Sequence, residues 1–269
     1  MKPHICFIAG TKGGIGKSFA ACQMAAAAEE LGLTYAAFDS DTENSTLKKL
    51  LKDKAEFLDD AKEDYPLDKI VTAAFAEHPR DLILVDMKAG TSRTTMEWFE
   101  SVPWEELASV AEICIVGAVT VDPESVQTLM PWILYFQAVG IPVRYLIVKN
   151  EKDGKNFIAY EELLGDSWKE MKNCSCAEVT FPAMDKNYIA ILNNAKVSLK
   201  TAISSARKIA PLNTIMAQSR LRNYYCRFVD PLVRVMAEWI PEKERSEDQT
   251  ERIQEAVIRL RLQQSMPGR

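Results

Sequence analysis

Only two histidines occur in the 269 residues, His4 and His78, and neither has a partner at metal-ligand spacing. No apolar run approaches the ~20 residues needed to cross a bilayer, so contact with a membrane is not expected. No cysteine pair has C-x-x-C spacing. Cys6, Cys22 and Cys114 fall in apolar segments and read as reduced core thiols. Cys174-Ser-Cys176 stands without a second pair and Cys226 is alone, which argues against a zinc or cluster site within one chain. Excess positive charge is also missing. A net charge of −5 excludes a basic nucleic-acid coat and leaves DNA contact to a local patch. There is no internal repeat and no low-complexity linker. An apolar segment begins at His4, too early for a signal peptide, so a cytoplasmic protein is expected.

What is present is a globular composition, 47% hydrophobic, in a chain long enough for one large α/β domain. Glycine is scarce, at 11 residues, yet Gly10, Gly13, Gly14 and Gly16 crowd together. They follow the apolar run Ile5-Cys6-Phe7-Ile8-Ala9 and form part of G-T-K-G-G-I-G-K-S, Gly10 to Ser18. A strand, a glycine-rich loop closing on G-K-S, and a helix starting near Lys17 make a phosphate-binding loop. Backbone N–H groups and a helix N-terminus converge there on one point, where polyphosphate is the natural occupant. Gly13, Gly14 and Gly16 allow close backbone approach. Lys17 is expected to reach the β- and γ-phosphates and the Ser18 hydroxyl to ligate Mg2+. Lys12 is a second lysine that the plain motif does not require.

Short apolar runs alternate with longer amphipathic segments, the pattern of a doubly wound, mostly parallel sheet flanked by helices. Strands are expected at His4–Ala9, Thr34–Phe38, Asp81–Val85, Ile113–Val119, Val143–Val148 and Ala177–Phe181. Helices are expected at Lys17–Leu31, Ser45–Leu51, Leu67–Glu77, Pro123–Val139, Ile158–Lys172 and in several segments after Met184. Gly32 reads as a C-cap and Asp122-Pro123 as a helix start. Pro211 to Trp239 suits long helices broken near Pro231. The domain is expected to span residues 1–240, and residues 241–269 form a charged helical tail. In that tail Ile253, Val257 and Leu260 make an apolar stripe.

In a parallel sheet the C-terminal strand ends share one edge. Asp39-Ser40-Asp41-Thr42-Glu43-Asn44 follows the second strand, so two carboxylates face the loop and suit a metal's outer shell and a water-orienting base. Leu82-Ile83-Leu84-Val85-Asp86 is an apolar strand ending in a carboxylate, a Walker B element in which Asp86 would hold Mg2+ through water. Met87-Lys88-Ala89-Gly90 continues it and could sense a γ-phosphate by ordering.

K-G-G-I-G-K-S with Lys12, D-S-D after the second strand and D-M-K-A-G after the third together resemble the ParA/MinD family of deviant Walker A ATPases, within the SIMIBI class of P-loop NTPases. The likeness is good over about residues 2–150 and general in layout beyond. It implies ATP and Mg2+ as cofactors, and a homodimer in which Lys12 reaches the nucleotide of the second subunit. It also implies Asp41 as the residue that positions the attacking water, and Asp39 as support for the metal beside Ser18 and Asp86. Gly13 to Phe19 would contact the nucleotide. D-x-D-x-x-N, with Asn44, resembles most closely a conjugation and mobilisation branch that includes TraL- and StbB-like proteins. Thr42 and Lys88 stand where family members often carry proline, which bears on hydrolysis rate more than on binding. Asn150-Glu151-Lys152-Asp153 superficially resembles a guanine-reading N-K-x-D, but Glu151 replaces its lysine; the family likeness implies ATP, with Asn150 as the base contact.

Arg207, Lys208, Arg220, Arg222 and Arg227, interleaved with Tyr224, Tyr225 and Phe228, form a C-terminal basic cluster. The resemblance implies nonspecific DNA binding there; a solvated helix face over core aromatics is the alternative. The function expected is a slow, partner-stimulated ATPase switch that positions or partitions plasmid DNA, a transfer complex or other cargo. A nucleotide-gated scaffold with little hydrolysis is the alternative, and a metallocluster carrier a third reading.

Overall fold

An apolar run without alternation needs cover on both faces, and strand β1 (His4–Ala9) has it: all six residues are buried. The computed structural model describes residues 2–41, 45–59, 62, 64–88, 93–165, 174–205 and 209–264. After β1 come α1 (Lys17–Glu30), β2 (Tyr35–Asp39), α2 (Thr46–Leu51), β3 (Ala55–Phe57), α3 (Asp68–Ala74) and β4 (Leu82–Asp86). Next are α4 (Arg93–Ser101), α5 (Trp104–Val110), β5 (Glu112–Val119), α6 (Pro123–Gln127), α7 (Met130–Val139) and β6 (Val143–Asn150). The chain ends with α8 (Ile158–Tyr160), β7 (Cys174–Phe181), α9 (Lys186–Ala195), α10 (Leu199–Ser205), α11 (Ile215–Ala237) and α12 (Glu247–Gln264).

The strands form one sheet in the order β3-β2-β4-β1-β5-β6-β7, with every pairing parallel. The doubly wound α/β architecture expected from the sequence is the one observed. Alternate residues of the central strands feed two cores. Cys6, Ile8, Leu84 and Val116 pack toward α1 and α11. Ile5, Phe7, Val85 and Ile115 pack toward α3, α4, α5 and α7. Helix α1 is alanine-rich because it is enclosed, lying between the sheet and α11; its stretch from Ala20 to Ala28 is buried throughout.

Several expectations are corrected. Strand β3 was not foreseen; three residues at a sheet edge are too few to show periodicity. Helices α4 and α5 were also missed. Their aromatic residues Trp98, Phe99 and Trp104 pack edge to face around Phe7 instead of forming one stripe. The single helix expected over Pro123–Val139 is two. Pro131 lies in the first turn of α7, where its missing N–H costs nothing, whereas inside a longer helix it would break the ladder. Conversely, no break occurs at Pro231, which lies inside the 23-residue α11. Buried neighbours Phe228, Val229, Leu232 and Val233 hold that helix continuous. Of the helix expected over Ile158–Lys172, α8 and a wider turn at Glu161–Gly165 are present, and the remainder lies outside the described residues.

Helix α12 packs on α11. Its stripe of Ile253, Val257 and Leu260 is half-buried around a fully buried Ala256. Arg259 donates to both carboxylate oxygens of buried Asp230, from Nε and Nη2 at 2.8 Å each. Gln249 donates to the Leu31 carbonyl at the end of α1. No helix among the described residues is long and apolar enough to cross a membrane.

His4 shows how the core depends on pH. Its ring stacks on Trp239 at 4.9 Å, and Nδ1 is buried without a hydrogen-bond partner. Burial, reinforced by the Arg144 charge, pushes its pKa down to about 4. Below pH 6.5 the unfolded chain therefore takes up a proton that the folded chain refuses, and stability falls as pH drops from 6.5 toward 4. Between pH 7 and 5 this one group should cost about 2 kcal/mol. Denaturant unfolding at the two pH values, for the wild type and His4→Asn, checks it: the variant should lose less stability by that amount.

Candidate nucleotide-binding site

The parallel register decides which side chains meet. Asp39 ends β2 and Asp86 ends β4, and the two are direct cross-strand partners; Ile8 of β1 pairs with Asp86 on its other side. The loop leaving β1 therefore opens beside two carboxylates. Gly14 has φ +71° and Gly16 φ +103°, both in the left-handed region. Gly16 has a second reason to be glycine. A Cβ there would lie 2.5 Å from Nδ2 of Asn150, which donates to the Ile15 carbonyl at 2.9 Å. The end of β6 thus clamps the loop, and Ile15 itself is buried beneath it. Helix α1 starts directly after Gly16, so its first-turn N–H groups have no intrahelical partner.

Asp86 is buried, and its Oδ2 has no hydrogen-bond partner. Burial pushes its pKa up to about 7; the Ser18 hydroxyl and the Lys17 charge pull down, while Asp39 and Asp41 push up. Asp39 is fully buried and its carboxyl is also raised by burial. Both of its oxygens are engaged, Oδ1 by the Asp41 N–H at 3.0 Å and Oδ2 by the Lys48 N–H at 2.9 Å. Asp39 therefore holds Asp41 and the first turn of α2 through their backbone. Lys17 is buried, its pKa is lowered by burial, and its Nζ donates to the Lys12 carbonyl at 2.9 Å. An orphaned carboxylate oxygen beside a serine hydroxyl, with further acid groups around it, fits a hard divalent cation with oxygen ligands. Ser18 and Asp86 would hold Mg2+ there.

A cavity of about 520 Å³ joins these groups. Gly13, Gly14, Gly16, Lys17, Ser18, Phe19, Asp41, Asp86 and Asn150 line it, whereas Ile15 and Asp39 do not. Lys12 does not line it. Its Nζ turns outward to Asp122 and, at 2.6 Å, to Glu124, an ion pair that raises the lysine pKa. Asp122 was read only as a helix cap, which it also is, accepting from the Glu124 N–H. Sequence reasoning missed other walls of the cavity, among them Gln23, Pro182 and Met184, which carry no motif; Lys152 and Phe228, noted in the sequence for other reasons, line it too. Arg220 and Arg222 are exposed on α11 and Arg227 is half-buried, but Phe228 is core, and Tyr225 is tied to Glu30. Arg207, Lys208, Thr42, Asn44 and Gly90 lie outside the described residues. No disulfide joins the cysteines, and no metal-binding cluster of His, Cys, Asp and Glu occurs among the described residues.

The sequence matches the CobQ/CobB/MinD/ParA nucleotide-binding domain over residues 6–266. The chain belongs to this family. Two solved MinD structures share the fold. MinD from Pyrococcus horikoshii, complexed with Mg-ADP, is 13% identical with a TM-score of 0.54, covering 88% of this chain and 98% of that one. MinD from Aquifex aeolicus is 16% identical with a TM-score of 0.50, covering 89% and 99%. A putative plasmid partition protein from Borrelia burgdorferi, bound to AMPPNP, is 14% identical with a TM-score of 0.49, covering 89% and 100%. No curated protein sequence matches significantly. Membership of the ParA/MinD family gives the cavity its ligand class, a nucleotide.

Gly16 offers the direct test. In Gly16→Ala the new methyl must displace Asn150 while the backbone stays at positive φ, a strain of about 1–3 kcal/mol. Binding of a fluorescent ATP analogue should weaken by about tenfold or more, with the helical circular-dichroism signal retained.

Proposed function

We propose that this chain is a magnesium-dependent switch ATPase of the ParA/MinD type, joined into a homodimer by ATP and separated by slow hydrolysis. The observation that carries the reading is the different placement of the two loop lysines. Lys17 lines the chain's own cavity, whereas Lys12 stands outside it at the surface, against carboxylates that are themselves half exposed. Surface ion pairs of this kind are worth little. Lys12 can exchange them for the phosphates of a nucleotide held by a second copy. Asp41, at the cavity rim, positions the attacking water. Catalysis is then positioning and charge stabilisation with no covalent intermediate.

The relatives named for plasmid partition and septum-site selection support a positioning role, with plasmid DNA, a transfer complex or another cargo as the object. Arg220, Arg222 and Arg227 on α11, with Arg207 and Lys208 nearby in sequence, would meet DNA phosphates without reading bases. Membership of the conjugation branch and cytoplasmic location complete the reading.

One observation favours the scaffold alternative, in which turnover is nearly absent. Ser40 Oγ donates to the Asp86 carbonyl and accepts from the Lys88 N–H at 2.8 Å, tying together the segments that follow β2 and β4. A proline at 88 could not make that bond. Phosphate release measured with and without DNA separates the two readings.

Lys12→Ala should abolish ATP-dependent dimerisation and hydrolysis while leaving ATP bound. Asp41→Ala should bind ATP and dimerise, with turnover lower by about 100-fold. Size-exclusion chromatography with ADP, ATP and a non-hydrolysable analogue, beside a phosphate-release assay, checks both. ATP-dependent dimers of Lys12→Ala equal to wild type would refute the role given to that lysine.

A further inference from the structure

An open groove of about 670 Å³ runs between α3 and the α4–α5 junction, on the face of the sheet opposite α1 and α11. It shares no residue with the nucleotide cavity. Buried Trp98 and Val102 form its floor, and Val71, Phe75 and Pro103 its apolar walls. Phe75, the C-cap of α3, is 50% exposed. Single exposed apolar side chains are ordinary on a protein surface, but a half-exposed ring at the edge of an apolar groove marks a place for a partner. The floor is fixed in advance. Trp98 Nε1 donates to Asp68 Oδ1 at 2.8 Å, and its ring stands edge-on to Phe99 at 5.1 Å between centroids. A partner therefore meets a preformed groove and does not have to open one.

Charge says what kind of partner fits. Helices α3, α4 and α5 carry Asp68, Glu97, Glu100, Glu105 and Glu106, all exposed. Against them stand only two bases in these helices, Lys69 and Arg93, and Lys69 is paired with Glu56 at 2.6 Å. Glu97 stands one turn before Ser101 and Glu106 one turn after Pro103, and both Ser101 and Pro103 line the groove. An acidic rim around an apolar floor repels nucleic acid and anionic lipid. It also opposes a second copy docking by the same face, which would set acid against acid. What complements it is a helix with a large apolar side chain on one face and lysines or arginines beside it.

We propose that the groove between α3 and the α4–α5 junction docks a cationic amphipathic helix of a partner protein, its apolar anchor lying over Trp98 beside Phe75 and its basic side chains meeting the acidic rim. This surface stands apart from the nucleotide reading and does not depend on it.

The test uses the full chain and three fluorescently labelled peptides, with binding read by anisotropy: a Leu/Lys helix with separate apolar and basic faces, a scramble of the same composition, and a Leu/Glu counterpart. The Leu/Lys helix should bind, and the other two about tenfold more weakly or worse. Phe75→Ala removes an exposed ring and should weaken binding by about tenfold. Glu97→Lys with Glu106→Lys should weaken it at least as much and flatten its dependence on salt. Asp248→Lys with Glu251→Lys, at exposed positions of α12, makes the same change in net charge and should leave binding near wild type. Failure of the Leu/Lys helix to bind, or equal binding of the three peptides, would overturn the proposal. So would binding that either groove variant leaves unchanged, or that the α12 pair weakens equally. Nucleotide-free dimers of the wild type that Phe75→Ala dissociates would overturn it too, by giving the groove to a second copy.

Discussion

Two carboxylates share a buried strand edge in this protein, and most of the site can be understood from what that requires. Cross-strand register sets Asp39 beside Asp86, both out of contact with water. Like charges in such a place cannot both stay ionised without compensation. The chain solves half of the problem itself. It spends the oxygens of Asp39 on backbone N–H groups, and these bonds shape the start of the β2–α2 connection and place Asp41. Lys17 and the Ser18 hydroxyl attend to Asp86 but leave one oxygen unmatched. That remainder is an acceptor that a divalent cation or a proton would complete, and it follows from the sheet's own geometry.

How much of this was legible beforehand depended on whether a signal was local. Strand β1, the loop from Gly10 to Ser18 and the start of α1 were readable because a run of buried residues, clustered glycines and G-K-S are contiguous. Strand ends slipped by a residue or more because a buried strand carries no alternation to mark its limits; β2 runs to Asp39 and β6 to Asn150. Helices α4 and α5 were invisible because their large side chains interlock with Phe7 and Phe136, and nothing in the sequence between Arg93 and Val110 announces partners so far away. The prolines misled in opposite directions. Pro131 does open a helix, while Pro231 is carried inside one by the packing around it. Gln23 had no motif to reveal its place in the cavity wall.

The outward turn of Lys12 bears on how the loop can serve two masters. Its backbone carbonyl accepts from Lys17, so the residue helps hold the phosphate lysine in its own chain. Its side chain, meanwhile, rests on Asp122 and Glu124 at the start of α6, next to β5. Backbone and side chain are thus engaged by different elements. A lysine so placed can leave its carboxylates without disturbing the loop, because the loop is held independently by the Asn150 clamp on Ile15 and by the close approach at Gly16.

Helix α1 connects these arrangements. Its N-terminus opens on the cavity, its second turn brings Gln23 to the cavity wall, and its C-terminal end receives Gln249 from α12 at the Leu31 carbonyl. Helix α12 is pinned in turn by Arg259 on Asp230 of α11, the helix that contributes Phe228 to the cavity wall. The charged C-terminal segment is therefore mechanically part of the nucleotide site's support, although it stands far from the loop in sequence. A change of occupancy at the cavity that shifted α1 would be felt at α11, where Arg220 and Arg222 lie exposed. That chain of contacts joins the cavity to the exposed face of α11 without any segment having to unfold.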